Sequence, residues 1–265
     1  HGTIEHKNKA DDSQDYLYGD TAVVTVTPNE GYMIETITVD GKAIEVPEDK
    51  KGGYTFEQLV EKDLNISATF TDVHTISEFT DSVIDEIKNA QDIKVKLAGD
   101  VTLGVALPLA KGTTEYDLDG HTITSTLNGM LRDANTDTTT FGNKSVTLKN
   151  GKIISNYDKG TVNVIDSSYL AAFTLDGVTV SNSSISTVNP ITGIYCSSTT
   201  ETKILNSTIN IKGSSNLGAY GIGTNNLDGE NKTITIDNTK VTVTSDDFDN
   251  TGFLGNTEGI KVVVK

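Results

Sequence analysis

Short runs of alternating apolar and polar residues fill most of this chain, and from residue 93 onward they return on a regular beat. The clearest run is Leu118-Asp119-Gly120-His121-Thr122-Ile123. It comes back as Leu148-Lys149-Asn150-Gly151-Lys152-Ile153 and Leu175-Asp176-Gly177-Val178-Thr179-Val180, then as Leu205-Asn206-Ser207-Thr208-Ile209 and Ile236-Asp237-Asn238-Thr239-Lys240-Val241. The leading apolar residues stand 30, 27, 30 and 31 positions apart. A two-residue alternation inside such a repeat predicts stacked coils, each burying its apolar face only against its neighbours. A second row, Val164-Ile165, Ile194-Tyr195, Ile222-Gly223 and Phe253-Leu254, keeps the same pace, with steps of 29, 28 and 31 from Ile165 to Phe253. Two rows on one beat predict a coil of parallel strands rather than a meander of hairpins. A third row is expected near residues 210–212.

The Asp-Gly, Asn-Gly and Asp-Asn pairs sit where each strand must bend, because these residues reach positive φ at low cost. Asn and Ser at such corners can also bond along the stack.

The pattern differs before residue 93. Residues 3–72 read as a small all-β sandwich, with strands at 21–27, 34–39, 54–56 and 65–70. Pro28-Asn29-Glu30-Gly31 and Asp40-Gly41 supply the turns. Over 75–90 the period becomes helical: Ile76, Phe79, Val83, Ile84 and Ile87 share one face. Thr75 with Glu78 has the form of a capping box. A helix there would cover the open end of the first coil. The expected organisation is a surface module at 1–72, a linker and capping helix at 73–92, and a right-handed parallel β-helix of about six coils at 93–265.

Two stretches resemble known families. Thr25-Val26-Thr27-Pro28-Asn29-Glu30-Gly31-Tyr32, Ile37-Thr38-Val39-Asp40-Gly41-Lys42, Gly53-Tyr54-Thr55-Phe56 and Asn65-Ile66-Ser67-Ala68-Thr69-Phe70 together resemble the bacterial surface repeat modules related to internalin B-repeats. That resemblance implies a spacer in a secreted or wall-anchored protein, with no catalytic residues of its own. Lys96-Leu97-Ala98-Gly99-Asp100-Val101-Thr102, followed by Tyr116-Asp117-Leu118-Asp119-Gly120-His121-Thr122-Ile123-Thr124, looks like the opening of pectate-lyase-like right-handed parallel β-helices. It implies a fold that serves lyases, hydrolases, adhesins and inert stalks alike.

Charge and composition narrow the partners. The chain is 265 residues long with a formal charge of -16, which disfavours nucleic acid and anionic lipid as partners. No apolar run approaches membrane-spanning length. One cysteine, Cys196, rules out an intrachain disulfide, and it reads as a small buried apolar side chain. The chain opens on His1-Gly2 and reads as a mature fragment of something longer, expected outside the cell.

The candidate chemistry is sparse. Asp133, Asn135 and Asp137 alternate like the start of a calcium loop, so calcium is the one cofactor left open. Thr138 and Lys144 stand where an EF-hand needs Gly and Glu, which excludes that motif. Arg132 is the only arginine, and lyases of the resembled fold use an Arg or Lys base beside carboxylate-bound calcium. The outward residues near the repeated phrase, taken as Asp119, Lys149, Asp176, Asn206 and Asp237, form a mixed row rather than an acidic one. Ser245-Asp246-Asp247-Phe248-Asp249-Asn250 holds the adjacent acids a hydrolase would need, without its other family features. His1, His6, His74 and His121 show no metal spacing. Tyr157, Tyr195 and Tyr220 are candidate sugar-stacking residues, with core packing as the alternative, and Arg132 is a candidate ligand-binding residue with them.

The expected function is a non-catalytic, adhesin-like surface module whose partner is a polysaccharide or a host surface glycan or protein. A polysaccharide lyase or glycoside hydrolase stays open, as does a passive stalk.

Overall fold

The alternating runs do become strands, and the repeated ones pair in parallel. The structure, a computed structural model, describes all residues except 30, 48–49, 132–141, 158–161, 184–189, 214–217, 226–231, 245–250 and 256–259, and lacks described side chains at 162, 251–255 and 260. The chain divides into two compact units, His1–His74 and Thr75–Lys265.

The first unit contains two antiparallel three-stranded sheets. One is ordered β1 (Gly2–Asn8), β2 (Thr21–Pro28), β5 (Tyr54–Leu59), and the other β4 (Lys42–Ile44), β3 (Tyr32–Val39), β6 (Ile66–Asp72). Ala22, Val24 and Val26 alternate inward along β2. Val26, Ile34 and Ile37 form the buried centre, with Ile4, Phe56 and Phe70 packed against it. Strands β1 and β4 had no clear periodic signal. In β1 only Ile4 is strongly apolar.

The second unit opens on β7 (His74–Ile76) and helix α1 (Asp81–Asn89). Thr80 is the N-cap, its Oγ1 accepting from Val83 N at 3.3 Å. The capping box expected from Thr75 and Glu78 does not form: Thr75 lies in β7, and the cap at Thr80 is one-sided, because Val83 has no side-chain acceptor to return the bond. Ile76 is drawn into the sheet edge, where its carbonyl accepts from Ala98 N at 2.8 Å. Ile87 is buried in the core of the coils, and Phe79 meets Tyr116 edge-on at 6.1 Å. The amphipathic face thus caps the stack as its pattern implied.

The coils follow. Strands β8 (Ile93–Leu97), β10 (Thr113–Asp117), β12 (Ser145–Ser155), β14 (Ala172–Asn182), β16 (Glu201–Leu205), β19 (Lys232–Asp237) and β22 (Ile260–Val264) stack in that order. Around the corner run β9 (Val101–Leu103), β11 (Thr122–Ser125), β17 (Thr208–Lys212) and β20 (Lys240–Thr244), joined by the far halves of β12 and β14. The third wall is β13 (Val162–Asp166), β15 (Ile191–Tyr195), β18 (Ala219–Thr224) and β21 (Thr251–Gly255). The registers between successive coils are parallel. The predicted second row is reproduced residue for residue, Ile165 on Ile194 on Ile222 on Phe253.

The solenoid has about 4 turns, not six. Among the described residues the early rungs have no third strand. There the wall is carried by the buried side chains Leu107, Leu109 and Met130, with Leu107 N bonded to Met130 O at 2.8 Å. Inside, Tyr116, Leu148, Leu175, Ile204 and Ile236 form one apolar column, and Ile123, Ile153, Val180, Ile209 and Val241 another. Each rung therefore depends on the next for its burial.

Candidate functional site

The corner after each first-wall strand is set by backbone conformation. Asp119, Asn150, Gly177, Asn206 and Asn238 all have positive φ, between 44° and 64°. Asn206 Nδ2 donates to Asp176 Oδ1 at 2.8 Å, and Asn238 Nδ2 donates to Asn206 Oδ1 at 2.9 Å. Ser207 Oγ, one residue later, accepts from Val178 N at 3.1 Å. These are stack-holding bonds, and they occupy the side chains that a ligand would otherwise use.

The outward row beside this corner is Asp117, Lys149, Asp176, Leu205 and Asp237 by register. It differs from the row taken from the phrase, which mixed these positions with the left-handed corner residues. Lys149 is nearly buried, with Nζ 2.9 Å from Glu115 Oε1 and 3.8 Å from Asp117 Oδ2. The two acids that could have begun a carboxylate cluster are thus neutralised by a lysine between them. Among the described residues no group of three or more His, Cys, Asp or Glu side chains could hold a metal ion. Arg132, Asp133, Asn135 and Asp137 lie outside the described residues, as do residues 245–250. His121 is half-buried at the first corner, its Nδ1 3.6 Å from Asp100 Oδ1.

The third wall carries the tyrosines. An added Cβ at Gly193 would meet Ile209 and Ile211, so position 193 faces inward. At Gly223 it would meet Thr192 Cγ2 at 2.9 Å and Tyr195 Cδ2 at 3.0 Å, so these three share the outer side. Tyr220 pairs with Thr192 and falls on that side too. Tyr195 and Tyr220 are both half-buried, with the Tyr195 ring lying over Gly223 where any side chain would displace it. Burial raises the Tyr195 phenol pKa.

The two tyrosines do not occupy equivalent positions. Tyr195 pairs with Gly223 and Tyr220 with Thr192. Their backbone positions are three residues apart along the strand, about 10 Å, and one rung apart, about 4.8 Å. Asn163 and Asp166 occupy the rung before, opposite Thr192 and Tyr195. Asp166 Oδ1 accepts from Ser168 N at 3.0 Å. Tyr157 is elsewhere, two residues past β12, half-buried against the core.

Cys196 is buried, and desolvation pushes its thiol up to about 12. Its Sγ–H points to Gly223 O at 3.4 Å. A thiolate is therefore scarce at neutral pH. Ellman's reagent is expected to leave the folded chain unmodified near pH 8 and to titrate one thiol in urea, as read from absorbance of the released thiolate.

Among the described residues no helix is long and apolar enough to cross a membrane. No protein-family model, curated protein or solved structure matches the chain. The two resemblances rest on their quoted residues alone.

Proposed function

We propose that the chain is a non-catalytic module displayed outside the cell, binding a glycan across the outer face of β13, β15 and β18. The observation that supports this reading is the outer placement of Tyr195 and Tyr220 on a parallel wall, with Asn163 and Asp166 beside them. Aromatic rings on such a face stack on the apolar sides of sugars, while amide and carboxylate groups accept their hydroxyls. The offset of the two tyrosines suits separate rings of one oligosaccharide. Because the wall is built from backbone ladders, the site is preorganised by its main chain. The Lys149 bridge between Glu115 and Asp117 argues against the lyase reading on the neighbouring wall.

A glycan array followed by calorimetry tests the proposal, in calcium and in EDTA. Tyr195→Ala and Tyr220→Ala are each expected to weaken the best ligand about tenfold, with far-UV circular dichroism unchanged. Equal affinity in both variants, or no glycan bound by the parent chain, would refute it. Appearance of unsaturated product from polygalacturonate would replace it with the lyase reading.

A further inference from the structure

The first unit contains a cleft of about 480 Å³ that the tyrosine wall does not involve. It lies between the loop after β1 and the connection from β5 to β6. Its floor is Ala22, Val60, Leu64 and Ile66, and its volume is in the range of small ligand sites.

Two observations mark it. The first is the exposed pair Leu17 and Tyr18, at 77% and 81% relative exposure. A loop that exposes large apolar side chains is ordinarily loose, yet this one is fastened at several points. Asn8 Nδ2 donates to Asp15 O at 3.1 Å and to Asp20 Oδ2 at 2.8 Å. Leu17 N donates to the same Asp20 Oδ2 at 2.8 Å. Gly19 N and Val60 O are 2.8 Å apart, as are Val60 N and Asp20 O. Tyr16 Oη and His6 Nδ1 are 2.9 Å apart. The loop is therefore preorganised with Leu17 and Tyr18 turned to solvent and Tyr16 half-buried against His6.

The second observation is the charge at the rim. Asp15, Glu61 and Asp63 line the cleft and form no ion pair among the described residues. Lys62 stands between two of them, but its Nζ is 2.8 Å from Asp40 Oδ2, a residue outside the lining. The cleft thus offers tyrosine faces and uncompensated carboxylates together. A cation with apolar flanks satisfies both, since ring faces and carboxylates each attract positive charge.

We infer that this cleft binds a basic peptide segment, seating a lysine or arginine against Tyr16 and Tyr18 between Asp15 and Asp63, with an apolar neighbour on Leu17. A neutral sugar would use the rings but leave the carboxylates' charge unanswered. The inference is independent of the glycan face, because it concerns other residues in another unit.

The test is fluorescence anisotropy on the full chain with a labelled peptide alternating arginine and leucine. A peptide with glutamate in place of arginine and a neutral glucose oligosaccharide serve as controls. The basic peptide alone is expected to bind. Leu17→Ala with Tyr18→Ala, and separately Asp15→Asn with Asp63→Asn, should each weaken it about tenfold or more. Glu35→Gln with Glu45→Gln removes the same charge from exposed positions outside the cleft and should leave affinity nearly unchanged. Equal weakening in that control would show general attraction to an acidic chain and overturn the inference. So would the absence of peptide binding, or competition at the cleft by the oligosaccharide.

Discussion

Phe173→Ala is expected to lower the unfolding free energy by about 3–5 kcal/mol, as read from urea denaturation followed by circular dichroism. Phe173 is fully buried, on β14 between Val146 of one rung and Thr202 of the next. Truncation removes contacts to both neighbours at once, because the rungs cannot close the gap without breaking the parallel ladder. Thr202 Oγ1 is already buried with no partner stronger than the Cys196 thiol beside it. Water entering the new cavity could bond to it, which would bring the loss toward the lower end. Phe173→Leu keeps most of the volume and should cost less than about 1.5 kcal/mol. Equal losses in the two variants would mean that residue 173 is not a packing element.

Gly193→Ala is the second large effect, expected at about 2–3 kcal/mol in the same assay. A Cβ there would lie 2.6 Å from Gly221 O, 2.9 Å from Ile209 Cγ2 and 3.0 Å from Ile211 Cγ1. The carbonyl belongs to the next strand of the third wall. It can yield only by moving away from β15, which opens the ladder beneath the tyrosine face. Glycan affinity should therefore fall together with stability. Gly104→Ala, with nothing within 4 Å of its added Cβ, should change stability by less than about 0.5 kcal/mol. A tolerated Gly193→Ala would show that the wall is looser than its register implies.

The repeat made the stacking legible, and the second row gave the register of the third wall correctly. The first wall was harder to read. The phrase set Leu118 equivalent to Leu148, whereas Tyr116 is its true partner. Both Tyr116 and Leu118 face inward and are fully buried, so apolar character could not separate them. The first corner is longer than the later ones, and its excess presses Leu118 Cβ to within 2.4 Å of any Cβ at position 151, which explains Gly151. Leu205 was set one place late for a related reason: it lies on the half-exposed side, and Ile204 fills the column. The left-handed corner residue, an Asp or Asn in four rungs and Gly177 in the fifth, is the dependable register mark, not the leucine, because the backbone bend recurs from rung to rung.

The site was less legible. Tyr195 and Tyr220 were found by residue type, but their three-residue offset depends on register. The cleft of the first unit left one trace, the apolar trio Tyr16-Leu17-Tyr18 in an otherwise polar loop. Its walls come from residues far apart in the chain, which periodicity cannot bring together.

Disulfide trapping between rungs tests the central claim most directly. Ser145 pairs with Ala172 and Thr147 with Thr174, and all four side chains are half-buried on one side of the first wall. Neighbouring strands are about 4.8 Å apart, within reach of a disulfide. Parallel stacking predicts that the cysteine pairs 145/172 and 147/174 both close rapidly under mild oxidation, while 145/174 and 147/172 do not. In an antiparallel hairpin, partners run in opposite directions, so 145/172 and 147/174 could not both be direct pairs. Closure of 145/174 together with 147/172 would contradict the account.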